Sequence, residues 1–169
     1  MSTTEAERFL NEFCSHGLTD TPPLLCITPD YTVSHLPTVF RQIGIEMKTE
    51  KRDPNQALPD WIQKTPSYKK GLFDFDIPSQ RLLMWMAYYL GETFVRSEAS
   101  LRWGIGSPDY AQCNSPVIKG FSHGLEMPTI MIVENLLRDL IIKSIESNRI
   151  EEAVSYWSKM INRQPPPGN

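Results

Sequence analysis

At 169 residues, with hydrophobic residues at 40% and charged residues at 22%, the chain has the length and apolar content of one folded domain rather than of a disordered segment. A formal charge of −3 argues against a nucleic-acid partner, as does the lack of any basic cluster denser than Lys48-Thr49-Glu50-Lys51-Arg52, which its own Glu50 dilutes. The longest apolar runs, 82–90 and 127–133, fall far short of a membrane span, and Met1-Ser2-Thr3-Thr4-Glu5 lacks the basic and apolar parts of a secretory leader, so a cytoplasmic protein is expected.

Taken in chain order, Thr4-Glu5-Ala6-Glu7 has the form of a capping box, and Phe9, Leu10 and Phe13 follow at helical spacing before Gly17, where the helix is expected to stop. Residues 18–37 are rich in Thr and Pro and read as an ordered loop with a short strand at 24–27. Ser34 or His35, with Pro37 in the first turn, opens a second helix that carries Val39, Phe40 and Ile43 and is expected to end at Gly44. Residues 46–56 read as a charged surface connection, 59–65 as a short helix, and 66–76 as irregular and aromatic.

The strongest helix is predicted over 79–97, opened by Pro78-Ser79 and apolar almost all round through Leu82, Leu83, Trp85, Met86, Tyr88, Tyr89, Leu90, Phe94 and Val95, the pattern of a central buried helix. Two alternating segments, 101–105 and 117–121, predict a small antiparallel sheet. Helices over 128–147 and 150–162 follow, the first carrying Ile130, Val133, Leu136, Leu137, Leu140 and Ile141, the second Ile150, Ala153, Val154, Trp157 and Ile161. The fold class is therefore α+β, mostly helical, with one domain over 1–163 and a Pro-rich tail over 164–169. Trp85, Tyr89, Leu137 and Trp157 are the expected core.

Few residues suggest chemistry. Cys14, Cys26 and Cys113 are odd in number and lack framework spacing, which fits free thiols. Cys14-Ser15-His16 brings two soft ligands together, but paired ligands of the Cys-x-x-Cys kind are missing, so neither a metal nor a cofactor is expected. Cys113 has Asp109 before it and His123 after it, without a base placed to activate it. Gly104-Ile105-Gly106 leads into Ser-Pro-Asp rather than a helix and is not a dinucleotide fingerprint. Glu92 is the unusual position, a carboxylate inside the most apolar helix. It is expected to form a structural ion pair with Arg96 or Arg102; the functional alternative is a general acid or base.

The segment Tyr88-Tyr89-Leu90-Gly91-Glu92, followed by Leu101-Arg102-Trp103-Gly104-Ile105-Gly106 and Asn114-Ser115-Pro116-Val117-Ile118, resembles small uncharacterised bacterial α+β proteins in which a helix ending in Leu-Gly-Glu precedes a Trp-containing strand, a second strand and a helix. Some of these are similar to immunity proteins of polymorphic or contact-delivered toxins. The likeness covers residues 80–140 and brings no catalytic residue with it. It implies a non-catalytic protein whose partner is a cognate protein toxin. Basic toxin clefts would be met by Asp74, Asp76, Glu98 and Asp109, with Phe73 and Phe75 as candidate anchors. An enzyme with a site around Glu92, Arg102 and Trp103, or a structural or adaptor subunit, is the alternative.

Overall fold

The computed structural model describes residues 3–19, 30–51, 73–109, 112–141 and 148–161. In chain order they form α1 (Thr3–Thr19), a 3-10 turn (Val33–His35) that runs into α2 (Leu36–Glu46), β1 (Thr49–Lys51), β2 (Phe73–Phe75), α3 (Ile77–Ser97), β3 (Arg102–Ile105), β4 (Pro116–Lys119), a second 3-10 turn (Ser122–Gly124), α4 (Thr129–Ile141) and α5 (Arg149–Lys159). This is the expected α+β architecture, mostly helical with short antiparallel ribbons. The strand expected at 24–27, the helix at 59–65, the end of the 128–147 helix and the tail lie outside the described residues.

Helix α3 is the axis of the molecule because its middle is apolar almost all round. Every residue from Leu82 to Gly91 except Met84 is buried, and α1, α2, α4, β3 and β4 all pack against it. Its start is fixed locally. Asp76 holds an extended conformation and accepts the Ser79 N–H at 2.9 Å, which satisfies a donor that the first turn leaves open. Ser79 Oγ in turn accepts the Lys48 N–H at 2.7 Å, tying the helix start to the chain entering β1. Phe40, Ile43, Met86, Tyr89, Leu90, Phe94, Leu137 and Ile150 lie at the centre of one apolar core.

Helix α2 does not stop at Gly44 but continues to Glu46. The glycine serves packing instead: a Cβ there would sit 3.1 Å from Leu140 Cδ1 of α4. Helix α1 likewise passes Gly17, since a glycine inside a helix costs only about 1 kcal/mol and does not forbid it.

Strands β1 and β2 pair where irregular chain is expected from the sequence, with Thr49 opposite Phe75 and Lys51 opposite Phe73. The pairing depends on contacts between distant residues, such as the Asp76 N–H donating to the Lys48 carbonyl at 3.3 Å, and leaves no periodic signature.

The predicted sheet forms between β3 and β4, with Arg102 opposite Lys119 and Ile105 opposite Pro116. The second strand ends at Lys119 rather than at residue 121. Gly120 takes φ +107°, and a Cβ there would meet the Ser100 carbonyl oxygen at 2.1 Å, so the chain turns away at a point only glycine can occupy. Phe121 then bridges to Ile161, and Ser122 N donates to the Met160 carbonyl at 2.8 Å, docking the end of α5. Of the expected core residues, Trp85, Tyr89 and Leu137 are buried, whereas Trp157 is only half-buried, against Phe121.

Candidate functional site

Helical spacing puts Tyr88, Glu92 and Arg96 on one stripe of α3, four residues apart. Glu92 Oε1 accepts from Arg96 Nε at 2.8 Å, and Oε2 accepts from Trp103 Nε1 at 3.2 Å. The Trp103 side chain reaches the helix because Gly91 presents no side chain: a Cβ there would lie 2.2 Å from the indole Cη2. The indole stacks on Tyr88 with ring centroids 6.0 Å apart and planes within 5°, and receives the edge of Phe13 from α1 at 5.5 Å. On the other side, the Arg96 guanidinium lies 3.8 Å from the centroid of the Tyr31 ring, which packs in turn on Tyr89. The carboxylate is thus held between one cation and one indole N–H, with its side chain 16% exposed.

Both oxygens of Glu92 are engaged, one by a helix residue and one by a strand residue, so the carboxylate is fixed in orientation between α3 and β3. Its charge also acts on its neighbours. Burial, and then the Glu92 charge, push the Cys14 thiol up to about 11. The same two causes raise the Tyr88 phenol. The site therefore favours protonated, weakly nucleophilic groups, the reverse of what an activated thiol requires.

Arg102 does not join this cluster. Alternation along β3 sends Trp103 toward α3, so Arg102 points to the opposite face, where it is exposed. Of the two expected partners, Arg96 pairs with Glu92 and Arg102 does not, and Glu92, Arg102 and Trp103 do not converge on one cleft.

The candidate partner-binding residues also separate. Asp76 lies before α3 and Glu98 after it, roughly 30 Å apart along a helix rising about 1.5 Å per residue. They stand at opposite ends of the helix. Asp76 is the N-cap of α3, and its carboxyl is held below the usual range by hydrogen bonds from Ser79. Phe75 is 5% exposed and lies beneath the Arg138 guanidinium, so it belongs to the core and is not an anchor. Phe73 and Asp74 lie in β2, opposite Lys51 and Glu50. Glu98 is half-buried, and Asp109 is exposed in the connection between β3 and β4.

Sequence reasoning missed two anionic centres. Glu126, its side chain 9% exposed, accepts from Lys119 Nζ at 3.0 Å and from the Ser107 N–H at 2.9 Å. Burial pushes this carboxyl up, but the hydrogen bonds from Ser107 and Lys119 outweigh burial and hold it below its ordinary value. A lone carboxylate between Leu125 and Met127, just before Pro128, was the available signal. Asp30 accepts from Thr32 N at 3.0 Å and from the Tyr89 hydroxyl at 3.3 Å, and pairs with His35 Nδ1. Its partners lie up to 59 residues away, which no local pattern reveals.

Among the described residues no three His, Cys, Asp or Glu side chains stand together as a metal site; Cys14 is half-buried and Cys113 exposed on the β3–β4 connection. No helix among them is long and apolar enough to cross a membrane. No protein-family profile, curated protein or solved structure matches the chain.

Proposed function

We propose that the chain is a non-catalytic binding protein, an immunity protein that neutralises a cognate bacterial toxin in the cytoplasm by direct binding. The observation that carries this reading is the state of Glu92. The one carboxylate whose position suggested acid–base chemistry has both oxygens committed to Arg96 and Trp103, in a setting that raises the Cys14 and Tyr88 pKa values. A carboxylate held this way, between an Arg one turn on and a strand indole, supports the reading of a structural ion pair that joins helix and strand. Exposed carboxylates on connections between rigid elements, Asp109 above all, supply charge for a basic toxin surface without a cost to the core.

The test is co-expression with a toxin encoded beside the gene. Wild type is compared with Asp74→Lys/Asp76→Lys, Glu98→Lys/Asp109→Lys and Glu92→Gln. One of the two charge reversals abolishes protection while the protein stays folded, and Glu92→Gln protects as wild type does. Full protection by both reversals removes these acidic loops from the interface. A catalytic turnover that is lost in Glu92→Gln overturns the reading altogether.

A further inference from the structure

Helix α1 is seated on the fold by a narrow stripe. Across residues 4–15 only Ala6 and Phe13 are buried, and the outer stripe through Glu5, Arg8, Glu12 and Ser15 is open to solvent. Phe13 is the α1 residue that enters the apolar core, with Cys14 packed partly against it. The Arg8–Glu12 ion pair and the bond from the Ser15 hydroxyl to the Asn11 carbonyl both lie within the helix. Helix α5 buries Ile150 alone, yet it is pinned by other means. Arg149 pairs with Asp139 of α4, Glu151 pairs with Arg41 of α2, and the Met160 carbonyl accepts from Ser122 N.

Helix α1 packs on α3, β3 and β4. Beneath it, Phe13 meets Tyr88 at 6.1 Å and Trp103 at 5.5 Å between ring centroids. The stack of Tyr88 on Trp103 and the Glu92–Trp103 hydrogen bond join α3 to β3 directly, so neither needs α1. The centre of the core, with Phe40, Ile43, Met86, Leu90 and Leu137, is supplied by α2, α3 and α4. An element with few buried side chains and a solvated outer face belongs to the low end of local stability.

We infer that α1 is a cover that opens as a unit while the rest of the fold stays closed, baring the Tyr88–Trp103 ring pair and the Cys14 thiol. This device is separate from the toxin-binding reading and does not depend on it. In the closed state burial, and then the Glu92 charge, hold the Cys14 thiol up at about 11, so it is protonated and inert at neutral pH. Opening removes both influences, and the thiol returns toward its ordinary range. The position of α1 therefore switches the reactivity of Cys14.

The experiment is alkylation of the full chain by iodoacetamide in sub-denaturing urea, with amide hydrogen exchange in parallel. Peptide mass spectrometry follows Cys14 apart from Cys26 and Cys113. Cys14 is labelled slowly without urea, and its rate rises with urea along a slope well below that of global unfolding. The α1 amides exchange along the same slope, while those of α3 from Leu82 to Leu90 stay protected until the fold is lost. Phe13→Ala speeds labelling of Cys14 roughly tenfold or more and leaves the α3 protection in place. Should Phe13→Ala fail to fold, Phe13→Leu, which keeps most of the apolar volume, gives a smaller acceleration of the same kind. Labelling that responds neither to urea nor to substitution of Phe13 shows a thiol that reacts in the closed state. Labelling with the urea slope of global unfolding shows a helix that leaves only when the whole fold does. Either result overturns the inference.

Discussion

The indole N–H of Trp103 meets Glu92 Oε2 at 3.2 Å across the bare backbone of Gly91, so that a strand residue completes the hydrogen bonding of a helix residue. The contact joins three features that stand apart in the sequence: a glycine inside a buried helix, a carboxylate beside it, and a tryptophan in the following strand. Each member constrains the other two, and each can be tested alone.

Glu92→Gln keeps the shape but loses the charge that binds Arg96. Because Arg96 is about half exposed, solvent recovers part of the loss, and destabilisation is about 1 kcal/mol. Urea titration measures it. A loss above about 3 kcal/mol would mean that Arg96 depends on Glu92 far more than its exposure implies.

Gly91→Ala sets helix propensity against packing. Alanine favours the helix by about 1 kcal/mol. Its Cβ, however, would lie 2.2 Å and 2.5 Å from indole carbons that are themselves held by Tyr88 and Phe13. Overpacking of this kind costs about 1–3 kcal/mol, so the variant is the less stable, with tryptophan fluorescence shifted to the red. A more stable variant with an unchanged spectrum refutes the packing account.

Trp85 is 6% exposed and stacks on Tyr89 with centroids 5.1 Å apart. Trp85→Ala costs about 3–5 kcal/mol by denaturant titration, as large aromatic truncations in cores do. Trp157→Ala costs less, because that side chain is only half-buried.

The Glu126 centre makes stability depend on pH. Its carboxyl lies lower in the folded state than the ordinary 4.5, so its contribution is fully present above pH 4.5 and is lost as pH falls through the folded value. Glu126→Gln and wild type should therefore differ in urea midpoint at pH 7 and converge in acid. A gap that persists undiminished at the lowest pH where the fold survives contradicts the assignment.

Much of the fold is legible because burial imposes a period. Helix α3 is apolar almost all round, and it is buried from Leu82 to Phe94 except at Met84 and Glu92. The alternation in 101–105 likewise marks β3 and its partner to within a residue or two. Local spacing is enough to place Arg96 one turn from Glu92.

Only the tertiary structure decided which way each β3 residue faces, and hence that Glu92 takes Trp103 rather than Arg102. It also decided that Gly44 seats Leu140, that Phe75 is core, and that Asp76 and Glu98 lie at opposite ends of α3. The physical reason is that periodicity reports only whether a residue is buried. Its partner is fixed by closing long loops, as when Tyr89 meets Asp30 and Ser79 meets Lys48, and that closure leaves no trace in neighbouring residues.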